Sequence, residues 1–298
     1  MVRQYKIHTN LDGTDDKVWD VTNGKVRFYQ PSNLGLQSTN NIWQSNGIGV
    51  MGTRSITQPQ IEFKLETFGE SLEENYRLMK DFINDILNQK FVTLEYQTEI
   101  FQVYADLALA DVTKTEGYGK NGTFSEKITF DIITKWYTYE NLTFDMVQNG
   151  KVLSGKSKIY GGTAPGDYKY VKGTSYTYYG ESNIDRLSRW DIKDEIFSFM
   201  GILYPQRPKT PAGVRFLDDI GNEYTAIVFK TEQLQDYILI NTDVNDETYQ
   251  GWNGTTSLNL FPVMDFERYR TRIIEKGQME LINLSKAEFK IKRKADFV

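Results

Sequence analysis

Gln60-Ile61-Glu62-Phe63-Lys64-Leu65-Glu66 alternates apolar and polar side chains without a break. A period of two places Ile61, Phe63 and Leu65 on one face of a strand, toward a core, and the charges on the other, toward water. Just downstream, Ser71 opens a capping box with Glu74, which satisfies the first free amides of a helix. Leu72, Tyr76, Met79, Ile83 and Ile86 then recur at helical spacing. They predict one helix, Ser71 to Gln89, whose apolar stripe packs on the sheet.

Strands surround this strand–helix pair. Upstream, 17–21 and 25–29 flank Asn23-Gly24, a dipeptide suited to the positive φ angles of a type I′ hairpin turn. Downstream, Phe91-Val92-Thr93-Leu94-Glu95-Tyr96 and the run from Phe101 to Leu109 are β-rich. Ile128, Phe130 and Ile132 alternate with polar neighbours. A sheet covered by one long helix accounts for residues 1–136.

Between Pro31 and Gln58 lies a stretch rich in Gly, Ser, Thr and Asn that reads as a long loop. It nevertheless carries Leu34, Leu36, Ile42, Trp43, Ile48, Val50 and Met51. Apolar residues on a loop that long are costly to leave in water, so either a neighbouring subunit covers them or the loop folds back over its own core.

The composition changes after residue 136. From Asn149 to Trp190 the chain is dense in Gly, Tyr, Ser and Lys and poor in aliphatic residues, with Tyr160, Tyr168, Tyr170, Tyr176, Tyr178 and Tyr179. Too little aliphatic surface is present for a core, and too many aromatics for an ordinary linker. The stretch suits a two-stranded ribbon projecting from a body. Rigid amphipathic Tyr, closed by Trp190, is the composition of a protein-binding surface; a ribbon without a partner is the other reading. Short strands then return at Val214–Leu217, Tyr224–Phe229, Tyr237–Ile240, Met279–Leu284 and Glu288–Lys292. Turn signals such as Asp219-Ile220-Gly221-Asn222 and Trp252-Asn253-Gly254 separate them, and no helical interlude does. This is the pattern of a β-sandwich. The basic tail Lys286, Lys290, Lys292, Arg293 and Lys294 reads as an edge strand whose lysines discourage further pairing.

Composition narrows the chemistry. The 298 residues carry no Cys and a single His, His8, which removes thiolate chemistry, Cys-bound zinc and multi-histidine metal sites. Asp and Glu number 40 against 35 Lys and Arg, a net charge of −5 that disfavours a dedicated nucleic-acid binder. No apolar run reaches bilayer length, and the N-terminus lacks the apolar core of a signal peptide. No phosphate-binding or dinucleotide glycine pattern stands at a strand-to-helix junction, and no carboxylate pair stands out as a glycosidase site. The expected assignment is therefore no enzyme and no cofactor. Asp243, Asn245 and Glu247 place oxygen ligands at alternate positions, as calcium loops do, but without the loop's glycine and distal glutamate. Trp252, near a sandwich turn, is the candidate to stack on a sugar ring, which makes a carbohydrate-binding lectin the alternative function.

The order of parts resembles the distal tail (Dit) proteins of siphophages, especially those infecting lactococci. The resemblance spans the chain. It rests on the Asn33-Leu34-Gly35-Leu36 loop, the helix from Ser71, the Gly/Tyr insertion and Ser257-Leu258-Asn259-Leu260-Phe261-Pro262 before the last strands. It implies a mainly β chain: an α+β N-terminal domain, 1–136, and a galectin-like β-sandwich, 137–298, with an arm inserted at about 149–190. It implies a non-enzymatic baseplate hub on the virion tail tip, assembled in the host cytoplasm. The N-terminal domains would form a six-fold ring continuing the tail tube, with DNA passing unbound through the channel and no membrane insertion. The arm tyrosines and Trp190 would hold receptor-binding protein, and Leu34, Ile42, Trp43, Ile48, Val50 and Met51 would make ring contacts.

Overall fold

The computed structural model describes residues 3–35, 37–57, 60–114, 123–145, 147–148, 151–152 and 184–295. The chain divides into two compact units: the first takes residues 1–138 and 295–298, the second 139–294.

In the first unit the strands are β1 (Gln4–His8), β2 (Val18–Asp20), β3 (Val26–Ser32), β4 (Gln37–Ser45), β5 (Ile48–Thr57), β6 (Ile61–Thr67), β7 (Val92–Gln97), β8 (Gln102–Thr113) and β9 (Ser125–Ile132). The helix α1 spans Leu72–Leu87, and β10 (Tyr137–Asp145) carries the chain onward. The main sheet is antiparallel and runs β2-β1-β7-β8-β9-β6-β3. In β6 the alternation is fully realised: Ile61, Phe63 and Leu65 are buried between half-exposed Glu62, Lys64 and Glu66. Their core includes Ile7, Phe28, Leu94, Leu107, Ile128 and Phe130. Phe28 stacks on Phe63 at 4.6 Å between ring centres.

The helix begins where expected. Ser71 is its N-cap, and its hydroxyl accepts the Glu74 N–H at 3.1 Å. The Glu74 carboxylate accepts from the Glu70 N–H, one residue earlier than the usual reciprocal bond. The buried stripe, however, is rotated from the expected one. Asn75, Phe82 and Ile86 are buried, whereas Leu72 and Tyr76 are exposed. Asn75 takes the inner position because its side chain closes on the backbone of Gly69, accepting from the N–H at 2.6 Å and donating to the carbonyl. Phe82 then drives its ring edge-on against Trp19 and Phe28.

The expected hairpin at Asn23-Gly24 does not form. β2 pairs with β1 and β3 with β6. Asp20 instead organises the turn, its carboxylate accepting from the Thr22 and Asn23 amides and its carbonyl from Gly24. An Asp accepting from amides two and three residues on holds a local turn without a left-handed residue.

The second unit holds the rest of β10, β11 (Val147–Gln148), β12 (Lys151–Val152), β13 (Ile184–Ile192), β14 (Ile196–Pro205), β15 (Ala212–Leu217), β16 (Glu223–Phe229), β17 (Tyr237–Asn241), β18 (Thr248–Asn253), β19 (Thr256–Asn259), β20 (Gly277–Ile282) and β21 (Leu284–Lys294). One sheet runs β19-β18-β17-β14-β21-β10 and the other β13-β20-β15-β16. A single core joins Phe199, Leu203, Ile238, Ile240, Phe289 and Ile291 of the first to Val214, Phe216, Ile227, Phe229, Met279 and Leu281 of the second. Phe199 meets Phe216 between the sheets at 5.8 Å. The unit is a β-sandwich.

One expectation about this unit is corrected. β21 is not an edge strand, because it lies between β14 and β10. Its Lys292 is buried and paired with Asp243 at 2.9 Å, and Lys290 lies over the ring of Tyr139 at 4.0 Å. The expected far limit of the insertion, about residue 190, falls in β13, which pairs with β20 at Ile184 and then from Arg189 to Ile192.

Candidate interaction surface

Among the described residues β4 and β5 pair only with each other. What reads in the sequence as a loop is a hairpin, paired from Gln37↔Thr57 to Ser45↔Ile48 with one shift of register between Asn40 and Ile42. Its turn is Asn46-Gly47, with φ of 50° and 80°. Both residues are left-handed, as the two-residue turn matching strand twist requires. This signal was present in the sequence and marks the element that composition alone reads as loop.

The hairpin's apolar side chains do not fold back on a core. Ile42 (54%), Trp43 (69%), Ile48 (69%), Val50 (63%) and Met51 (49%) are all exposed. Directly opposed residues share a face and successive pairs alternate. Ile42↔Met51 thus lies on one face, and Trp43↔Val50 with Ile48 on the other. Glycines make room for the bulk: a Cβ on Gly49 would stand 3.2 Å from Ile42, and one on Gly52 at 3.2 Å from the Trp43 indole nitrogen. A two-stranded ribbon with apolar groups on both faces has no inside of its own. Leu34 differs from these five: it packs on the core of the first unit, and its carbonyl accepts from Trp136 Nε1 at 3.0 Å.

The arm tyrosines Tyr160, Tyr168, Tyr170, Tyr176, Tyr178 and Tyr179 lie outside the described residues, as does Leu36. Trp190 is not on an arm. It stands in β13 opposite Met279, half-buried against the sandwich core.

The calcium candidates are otherwise engaged. Asp243 Oδ2 pairs with Lys292, and Oδ1 accepts the Asn245 N–H at 2.9 Å. Glu247 accepts from Tyr249 at 2.7 Å and pairs with Arg272 at 2.6 Å. Among the described residues no group of three His, Cys, Asp or Glu side chains is placed to hold a metal ion.

Trp252 lies nearly parallel to Tyr237, their planes 14° apart and ring centres 6.1 Å apart. The solvent side of the larger sheet carries a groove of about 540 Å³ floored by Met200, Ile202 and Leu239; Trp252 is not among the residues that line it.

His8 is buried, with Nδ1 2.6 Å from Asp16 Oδ2 and Nε2 2.9 Å from Glu95 Oε2. Both nitrogens are taken, so the ring cannot turn to a substrate. Burial works against the charge of Glu95, yet hydrogen bonds from Lys6 and His8 hold its carboxyl below the usual range. The cluster ties β1 to β7.

Comparison with known proteins covers both units. The family model described as "Distal tail protein, N-terminal domain" matches residues 4–133, and that described as "Dit, C-terminal domain" matches 135–298. The chain is 94% identical over 298 residues, all of both chains, to the distal tail protein of Lactococcus phage p2. It is 92% identical, over the same length, to that of Lactococcus phage SK1. Among solved structures it is similar to a chain of the phage p2 baseplate in its activated conformation with Ca, at 92% identity, TM-score 0.79 and complete coverage of both. It shares the fold of SPP1 Dit at 10% identity and TM-score 0.54, covering 98% of this chain and 99% of the other.

Proposed function

The chain belongs to the distal tail protein family, and from that premise we propose that it is a structural hub of a phage baseplate whose first unit joins copies of itself into a ring. The hub stands at the virion tail tip, a reading supported by a relative of 92% identity that is a chain of a phage baseplate. We further assign it a hexameric ring stacked on the tail tube, open to passing DNA. Receptor-binding protein is held through the Gly/Tyr segment, whose far limit is set by the sandwich strand β13. The two antiparallel sheets around one core support the galectin-like reading of the second unit. The role is non-enzymatic and needs no cofactor.

The observation that carries self-assembly is the hairpin. Five exposed apolar side chains on two faces, one of them Trp, make a contact surface that water alone would not cover. Burying a large apolar side chain contributes about 1.5–3 kcal/mol each, and a ring repeats that contact at every interface.

Trp43→Glu with Ile48→Glu is expected to leave single chains on a sizing column. The fold should be unchanged by circular dichroism, because both side chains stand in solvent. Rings of unaltered size in this variant would refute the assignment of the hairpin to the ring contact.

A further inference from the structure

Asn-Gly occurs five times in the chain, at residues 23, 46, 121, 149 and 253, and the pairs at 23, 46 and 253 lie among the described residues. Asn is a chemically labile side chain. Before Gly it is most so, because a backbone nitrogen with no Cβ beside it can close on the asparagine carbonyl carbon. All three described asparagines are exposed. Exposure therefore does not separate them, but the glycine amides do.

The Gly24 N–H donates to the Asp20 carbonyl at 2.9 Å, and a Cβ on Gly24 would stand 2.3 Å from that oxygen. The Gly254 N–H donates to Asp236 Oδ2 at 2.6 Å. An amide nitrogen attacks only after losing its proton, and an acceptor this close holds the proton in place, a carboxylate most strongly. Gly47 differs. Among the described residues no group accepts its N–H, and nothing beyond its chain neighbours lies within 4 Å of where a Cβ would stand.

The supports of the three turns differ in the same direction. Asn23 lies between buried Val21 and Val26, and Asn253 is paired with Thr256 in the sandwich sheet. Asn46 caps a ribbon whose strand β4 is exposed along its whole length. The end of a two-stranded ribbon opens readily. Opening matters because Asn46, left-handed at φ 50°, must rotate before its side chain meets the next nitrogen.

We propose that Asn46 is a site of spontaneous deamidation in the unassembled chain. The inference goes beyond the ring reading and does not depend on it. The Gly47 nitrogen gives its proton to solvent and bonds to Asn46 Cγ. The bond from Cγ to the side-chain nitrogen breaks, and that nitrogen leaves as ammonia after taking a proton from solvent. The five-membered imide so formed adds one water and opens at either carbonyl. One opening leaves aspartate, the other isoaspartate, whose Cβ has entered the main chain. A two-residue turn matches strand twist only at its natural length, so isoaspartate breaks the Ser45↔Ile48 pair first. Either product adds a negative charge to a ribbon in which Arg54 is the one charged side chain between residues 37 and 57.

The test uses single chains at mildly alkaline pH: unmodified protein if its mass is that of one chain, otherwise Trp43→Glu with Ile48→Glu. Peptide mass spectrometry reads the exchange of amide for acid at each asparagine. The same chain in urea gives each intrinsic rate. Folding should slow Asn46 by no more than about tenfold and Asn23 and Asn253 by on the order of a hundredfold or more. Asn46 slowed as much as the other two would overturn the proposal. Asp236→Ala, at an exposed position, frees the Gly254 amide and should raise the Asn253 rate toward its value in urea. An unchanged Asn253 rate would overturn the amide rule that singles out Asn46.

Discussion

Phe82→Ala is expected to destabilise the first unit by about 3–5 kcal/mol, the range for removing a fully buried aromatic ring. Phe82 is wholly buried, touches Trp19 and Phe28 edge-on, and is the central contact of the protein's described α-helix with its sheet. Its removal leaves a cavity that neither Asn75 nor Ile86 can fill. Asn75 is tied to Gly69, and Ile86 already packs in the same core. The loss is a large share of the 5–15 kcal/mol typical of a domain. Hydrogen exchange read by mass spectrometry checks it: peptides of α1, β3 and β6 should lose protection by two orders of magnitude or more. Phe82→Leu should lose much less, since it keeps most of the volume. Protection unchanged in Phe82→Ala would mean that the helix is not held by this ring.

Asp243→Ala is expected to cost the sandwich a comparable amount, about 3–5 kcal/mol, by a different route. Lys292 is buried on a central strand, and Asp243 faces it at 2.9 Å. Taking away the carboxylate removes the charge that Lys292 faces at 2.9 Å while the ammonium stays buried, which is worse than having neither group. Replacing both, Asp243→Leu with Lys292→Met, should therefore recover most of the loss. The urea midpoint of the sandwich, followed by exchange in peptides of β14, β17 and β21, separates the cases. Equal loss in the single and double variants would indicate that packing at Lys292, and not its charge, is what matters.

The difference between these two sites is also the difference between what the sequence discloses and what it hides. Ile61, Phe63 and Leu65 announce their strand because one face is wet and the other dry. The cap at Ser71 is equally local, and both are legible in a few residues. Phe82 is harder, because two overlapping apolar stripes run along α1 and only tertiary packing selects one. Polar Asn75 begins the stripe that wins, which disguises it. β14, Ile196–Pro205, shows little alternation since Met200 and Ile202 face the groove on its outer side while Phe199 and Leu203 face the core. Lys292 reads as an exposed edge lysine because its partner lies 49 residues away. Asn23-Gly24 has the residues of a hairpin turn but is pre-empted by the Asp20 side chain. The true hairpin turn, Asn46-Gly47, sits inside a stretch whose composition reads as loop.

The same reasoning explains why the interaction surface is partly visible from sequence. Apolar residues in a Gly- and Asn-rich stretch are out of place in any account confined to one chain. Ile42, Trp43, Ile48, Val50 and Met51 are indeed uncovered, whereas Leu34, five residues before Thr39 in the same stretch, is absorbed by its own core. What sequence could not supply is the outward turn of Leu72 and Tyr76, which look like core positions until the helix is seen to bury Asn75 and Phe82 instead.

That this chain is built to assemble is tested by the molar mass of the purified protein in light scattering. Protein mixed with receptor-binding protein of the same phage, and a chain lacking residues 153–183 so that β13 is kept, complete the set. The expected result is a closed ring, six chains of 34.6 kDa or about 208 kDa, that takes up receptor-binding protein only when residues 153–183 are present. A 34.6 kDa particle that stays single and captures nothing would contradict it.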